Sequence, residues 1–177
     1  MKDKFKSFNK DTCRICESSN LFSYLDLGDQ PPSNSFIEVE NLKNEQSFPL
    51  NVQLCTFCGL SQLSTVVSSK DIFDDYLYFS STSKALVNHY KKMTESILNK
   101  INPLKNSLIV DIGCNDGITL KCYPKNKFNI LGIEPSSTSE AAIKDGFNVE
   151  KEFFSNNFSK ILIKKYGKAS IITATNV

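Results

Sequence analysis

The spacing of apolar positions along the chain changes near residue 80. Before it, short apolar segments such as "LFSYLDLG", "FPLNVQLC" and "GLSQLS" are broken by turn-forming residues. That pattern predicts a small, loop-rich module of short strands. From Thr82 to Lys100 the spacing becomes helical. Leu86, Tyr90, Met93, Ile97 and Ile101 share one face, Ser83 stands at the N-cap position and Pro103 lies just past the end. "SLIVDI" (107–112) is then a continuous apolar run, as in a strand covered on both faces. "DGITLKCY" suits the first turns of a helix, and "FNILGIE" (128–134) a second strand. "SSTSEAAIKDG" reads as a helix closed by Gly146, "SNNFSKILIKKYG" as another closed by glycine, and "ASIITATN" (169–176) as a further strand. The alternation predicts an α/β chain whose second part is a parallel sheet with right-handed crossovers.

Three regions follow from this pattern: a module at 1–70, a connector and helix at 71–105, and a sheet-forming region at 106–177. Val177 comes directly after an inner-strand pattern, which would leave a long apolar edge unpaired. The expectation is that the chain is a piece of a longer design.

Composition narrows the function classes only slightly. Lysine and arginine number 21 against 19 acids, a formal charge of +2, which gives no footprint for nucleic acid or an anionic membrane. No run approaches the ~20 apolar residues that span a bilayer, and "MKDKFKSFNKD" lacks the apolar core of a secretory signal. The expected compartment is therefore cytoplasmic, where six cysteines favour thiols or metal ligands over disulfides.

Four of those cysteines form two CxxC pairs, Cys13/Cys16 and Cys55/Cys58, with 38 residues (17–54) between them. Two such turns brought together offer four thiolates, which suits tetrahedral zinc. A redox CxxC needs only one pair in a thioredoxin-like context, which is missing here. With four thiolates the shell is closed, so the expected zinc is structural. Cys114 and Cys122 read as ordinary buried cysteines, with Cys114 small enough to lie close to a ligand.

The strand at 107–112 carries Asp111 and runs into Gly113-Cys114-Asn115-Asp116-Gly117. A strand, a glycine turn and a helix make a nucleotide-binding arrangement. The dinucleotide fingerprint G-x-G-x-x-G does not fit, since Asn115 replaces its middle glycine and no glycine stands at 118. Asparagine tolerates a left-handed backbone, so the turn itself can survive. An acid at the start of the turn repels pyrophosphate and favours a cationic amino group. Glu134, at the end of the next strand, is placed to meet ribose hydroxyls. S-adenosylmethionine has both features, and is favoured over NAD.

Taken in order, "CRIC", "LDLGDQPPSNSF", "CTFCGLSQL", "YLYFSSTS", "DIGCNDG", "GIEPSS" and "TATNV" make the chain similar to the zinc-containing, S-adenosylmethionine-dependent sugar C-methyltransferases. The resemblance implies a zinc module, a Rossmann-type methyltransferase domain of which this chain holds only the first half, and a further lobe beyond it. It implies Cys13, Cys16, Cys55 and Cys58 as zinc ligands. Asp111, Gly113, Asn115 and Gly117 match the methionine side of the cofactor site, Glu134 and Pro135 its ribose side, and Asn176 the end of the fourth strand lining the pocket. Tyr76 and Tyr78 fall in the connector where a tyrosine approaches the sugar, so they are the candidate catalytic residues. The substrate implied is a nucleotide-linked keto-deoxysugar. A separate polypeptide carrying the missing C-terminal half is a further implied partner, and the chain alone is expected to be inactive. No residue here stands for the family's catalytic glutamate and histidine; His89, the single histidine, reads as a helix surface position.

Two other classes compete. One is a non-catalytic zinc-ribbon and nucleotide-binding module, which predicts a basic face that residues 11–65 lack. The other is an NAD-dependent enzyme fragment, disfavoured by the missing fingerprint.

Overall fold

The computed structural model describes residues 5–73, 76 and 78–177. Of the connector read at 71–81, residues 74, 75 and 77 lie outside the described residues, as do residues 1–4. The chain divides into two compact units, Met1–Tyr76 and Leu77–Val177.

The first unit is built on antiparallel strands. β1 (Ser7–Asn9) pairs with β5 (Thr65–Val67), and β2 (Leu21–Gln30), β3 (Phe48–Cys55) and β4 (Ser61–Leu63) form a sheet in that order. β2 is ten residues long, more than the short strands expected, and breaks register between Ser23 and Leu25 and between Asp26 and Asp29. Those irregularities blunt an exposed edge strand. Helix α1 (Ser69–Phe73) closes the unit. Its apolar core is thin: Phe5, Cys13 and Cys55 are its buried hydrophobics among the described residues.

The second unit opens on helix α2 (Lys84–Ile101). Ser83 caps it by accepting from the Leu86 N–H at 3.4 Å, and Asn102 ends it with φ 46°. Its buried stripe differs slightly from the expected one. Tyr90 and Thr94 are buried, Leu86, Met93, Ile97 and Leu98 are half-buried, and Ile101 is exposed. Thr94 tolerates burial because its hydroxyl donates to the Lys91 carbonyl at 3.0 Å.

Strands β6 (Leu108–Ile112), β7 (Asn129–Ile133), β8 (Asn148–Glu150) and β9 (Ile171–Ala174) form a sheet in the order β8-β7-β6-β9, with every pair parallel. Alternate strand residues feed the two faces. Ile109, Ile130 and Ile171 join Leu120, Tyr123, Ala142 and Phe147, with Ile97 and Leu98 of α2 packed against them. Val110, Leu131 and Ile133 meet Leu162 of α4 (Asn156–Tyr166), flanked by Phe158 and Tyr166. Helix α3 (Ser139–Lys144) connects β7 to β8.

Two details depart from the sequence pattern. β8 was not foreseen, being three residues long. "DGITLKCY" is not an α-helix: it forms turns and a 3-10 segment at Leu120–Cys122. Pro124 explains this, because it drives Tyr123 to extended backbone (φ −90°, ψ 137°) before a second helical turn can form. Among the described residues no helix is long and apolar enough to cross a membrane.

Candidate metal centre and ligand turn

The two cysteine pairs sit in turns of the same construction. In the first, Glu17 N–H donates to the Cys13 carbonyl at 2.9 Å and Cys13 N–H to the Ser18 carbonyl at 2.9 Å. In the second, Gly59 donates to Cys55 at 2.8 Å and Cys55 to Leu60 at 2.8 Å. The residue after each pair takes a left-handed backbone, Glu17 at φ 60° and Gly59 at φ 79°. β3 delivers Cys55 at its end, and Gln62 of β4 fixes the other turn. Its side chain accepts from the Arg14 N–H and donates to the Thr12 carbonyl, both at 3.0 Å. Buried Gln62 is a supporting residue that no motif marks; its one signal is a polar residue inside "GLSQLS".

The four sulfurs lie within 4.8 Å of one another. Cys13 Sγ is 3.5 Å from Cys58 Sγ, and Cys16 Sγ is 3.6 Å from Cys55 Sγ. A tetrahedron with ~2.3 Å zinc–sulfur arms has edges of ~3.8 Å, so the cluster has the size of a zinc site. Its electrostatics agree. Backbone N–H groups of Cys16 and Ile15 help hold the Cys13 thiol down at about 6. The Ser18 N–H pulls Cys16 the same way, but burial and the neighbouring thiols push it up to about 12. Four thiols this close cannot all ionise without a cation among them, and a divalent ion removes that conflict. The cluster fits zinc, with Cys13, Cys16, Cys55 and Cys58 as its holders.

In the second unit the sheet order reverses at β6: the chain goes outward to β7 and β8, then returns to place β9 on the other side. Ligands of such sheets bind beyond the strand ends at that reversal. Gly113 to Gly117 lies there, directly after β6. Gly113, Asn115 and Gly117 all have left-handed backbone, at φ 66°, 50° and 81°. A Cβ on Gly113 would overlap Cγ1 of Val177, and one on Gly117 would come within 2.9 Å of the Ala142 Cβ. Asn176, exposed beyond β9, also takes φ 57°.

The candidate acids are engaged rather than open. Asp111 is buried in β6, and its Oδ1 accepts from the Thr173 hydroxyl at 2.5 Å. Burial pushes its carboxyl up from 3.8 to about 6, against hydrogen bonds from Thr173 and Thr119 that lower it. Glu134, beyond β7, accepts from the Asn115 N–H and the Ser136 N–H, both at 2.9 Å. It pins the turn from the neighbouring strand and retains lone pairs for another donor. Half-buried Pro135 separates it from Ser136.

Cys114 is the ordinary buried cysteine its sequence suggests: it points into the core, 1% exposed, directly over Gly132 of β7. A Cβ at Gly132 would stand 2.5 Å from the Cys114 Sγ, so this unflagged glycine makes room for the turn. Asp116, likewise unflagged, is buried and accepts from the Ser81 N–H at 3.1 Å and from the Ser81 hydroxyl.

The two tyrosines fall in different units. Tyr76 packs edge-on against Phe73 in the first, at 5.1 Å between ring centroids. Tyr78, in the second, has its carbonyl bound by the Asn115 side chain at 2.9 Å. His89 is exposed on α2.

Comparison with known proteins gives these features a context. Residues 13–73 match the family Methyltransf_13, described as "Putative zinc binding domain". The chain is also 22% identical over 164 residues to C-methyltransferase NovU of Streptomyces niveus, an alignment covering 92% of this chain. It spans 39% of that relative's length. Residues 13–73 thus match a family described as a putative zinc-binding domain, with four cysteines placed to hold the metal, and the chain is distantly similar to a C-methyltransferase.

Proposed function

We propose that the second unit is the first half of a Rossmann-type domain that binds S-adenosylmethionine at the turn after β6. On this reading the chain belongs to a C-methyltransferase acting on a nucleotide-linked keto-deoxysugar in the cytoplasm. The observation that carries the cofactor reading is electrostatic. Three buried carboxylates, Asp111, Asp116 and Glu134, surround one turn. No lysine or arginine forms an ion pair with any of them among the described residues. Such a site repels pyrophosphate and favours a ligand with positive charge.

When bound, the cofactor supplies an electrophilic methyl group. The chain's own part is binding and orientation. Gly113 and Gly117 give the turn its left-handed backbone and close packing, Glu134 offers its remaining lone pairs to ribose hydroxyls, and Asp111 contributes negative charge from beneath the turn. Pro135 and Asn176 sit at the neighbouring strand ends and line the same crevice. Carbon methylation beside a ketone also needs a group that donates to the developing enolate oxygen. Of the two tyrosines, Tyr78 is the better candidate, because its backbone is fastened to the turn. Zinc, held by the four cysteines, keeps the first unit folded.

Titration of the zinc-loaded chain with S-adenosylhomocysteine and with NADH, by calorimetry, tests the reading. Binding of the homocysteine compound alone is the expected result. Binding of NADH alone would assign the turn to a dinucleotide. Binding of neither would favour a non-catalytic zinc module.

A further inference from the structure

The glycine turn carries Asn115 where a dinucleotide fingerprint would have its middle glycine, and Asp116 beside it, and both side chains reach the segment before α2. Asn115 Oδ1 accepts from the Ser80 N–H at 3.1 Å, and its Nδ2 donates to the Tyr78 carbonyl at 2.9 Å. Asp116 Oδ2 accepts from both the N–H and the hydroxyl of Ser81. These bonds span 35 to 37 residues of sequence. Asn115 and Asp116 are buried, whereas Tyr78, Phe79 and Ser81 are exposed. The side chains that do the holding are therefore fixed, and the segment they hold lies at the surface. A segment of that kind adopts one position only if specific bonds impose it.

We propose that Asn115 and Asp116 are positioning residues: they clamp residues 78–81 to the turn, so that this segment and the turn respond to a bound cofactor as one element. The proposal rests on the cofactor reading given above. It explains why the turn departs from the glycine fingerprint. Asn115 supplies the left-handed backbone a glycine would give, and adds an acceptor and a donor that glycine lacks. Asp116 acts through Ser81. The clamp also sets where Tyr78 stands relative to the turn, and so links cofactor binding to the placement of a candidate substrate-facing group.

The test uses the full zinc-loaded chain, with Asp116→Ala, Ser81→Ala, their double variant and Asp116→Asn. Two quantities are read: affinity for S-adenosylhomocysteine by calorimetry, and hydrogen exchange of the Ser80 and Ser81 amides. Asp116→Ala should speed exchange at Ser81 and weaken binding about tenfold. The double variant should bind no worse than Asp116→Ala, since both changes break the same contact. Asp116→Asn, whose amide oxygen still accepts from Ser81, should restore slow exchange at Ser81 and bind more tightly than Asp116→Ala, short of wild type by the carboxylate's charge. Ser81 is exposed, so Ser81→Ala leaves the core intact and reports even where Asp116→Ala folds poorly. Wild-type affinity in both single variants, or losses that add in the double, would overturn the clamp alone. Failure of the unaltered chain to bind would instead sink the cofactor reading, and with it the coupling. Rapid amide exchange at Ser80 and Ser81 in the unaltered, ligand-free chain would refute the clamp whatever the ligand.

Discussion

At the scale of single residues, the two cysteine turns form a natural comparison. They share their hydrogen bonds, yet the left-handed position after each pair holds Glu17 in one and Gly59 in the other. A side chain in that conformation costs roughly 1 kcal/mol, which glycine partly avoids. Glu17→Gly should therefore stabilise the zinc-loaded chain by ~0.5–1 kcal/mol, and Gly59→Ala should destabilise it by ~1 kcal/mol. No atom stands within 4 Å of a Cβ at Gly59, so that cost would be backbone strain alone. Urea midpoints of the two variants check both signs. Asp111 gives a second prediction. Its carboxyl titrates near 6 in the fold against 3.8 ordinarily, so the folded state holds its proton more tightly than the unfolded chain. Its contribution to stability is thus fully present below about pH 4 and lost as pH rises through 6. Asp111→Asn should flatten that slope and raise stability at pH 7.5 by ~1–3 kcal/mol, while weakening a cationic ligand. Urea melts at pH 4.5 and 7.5 would reveal it; an unchanged pH slope would mean that Asp111 is not the group responsible.

At the scale of elements, the turn after β6 depends on the strand beneath it. Gly132 faces the Cys114 sulfur at a distance no Cβ tolerates. Gly132→Ala should cost ~1–3 kcal/mol by overpacking and displace the turn, lowering S-adenosylhomocysteine affinity as well. Pairing it with Cys114→Ala should restore part of the stability, because the sulfur at 2.5 Å is removed while Leu120 Cδ1 at 2.9 Å still crowds the new Cβ. Thermal melts of the single and double variants check this. Gly132 also marks where sequence reading reaches its limit. Helices α2 and α4 were legible because each carries its own start signal: Ser83 and Ser155 accept from the Leu86 and Phe158 N–H groups. Strands β6, β7 and β9 were legible as apolar runs, and the four cysteines by spacing alone. β8 is too short to show a period. Gln62, Gly132 and Asp116 owe their roles to partners 18 or more residues away in the chain, contacts that no local pattern encodes. The expected helix after Gly117 failed for a local reason that was readable, namely Pro124 so soon after the glycine.

At the scale of the whole molecule, the two units differ in what holds them. The second has apolar clusters on both faces of its sheet, drawn entirely from its own residues. The first buries little besides Phe5, Cys13 and Cys55, and two of those three are metal holders. A unit with so small a core depends on its staple. Removal of zinc by a strong chelator should therefore unfold the first unit and spare the second. In circular dichroism the antiparallel-sheet signal should fall while the helical signal of α2 and α4 persists. Amides of β3 and β4 should exchange rapidly, and those of β6 and β7 should stay protected. Cys16→Ser should mimic the chelator without any added reagent, by leaving the metal three thiolates and a weak ligand. Restoring zinc should reverse the chelator effect but not that of the variant. A single cooperative loss of both units on chelation would mean that the second unit leans on the first. Full retention of β3 and β4 protection in the metal-free chain would remove zinc from the account of its stability.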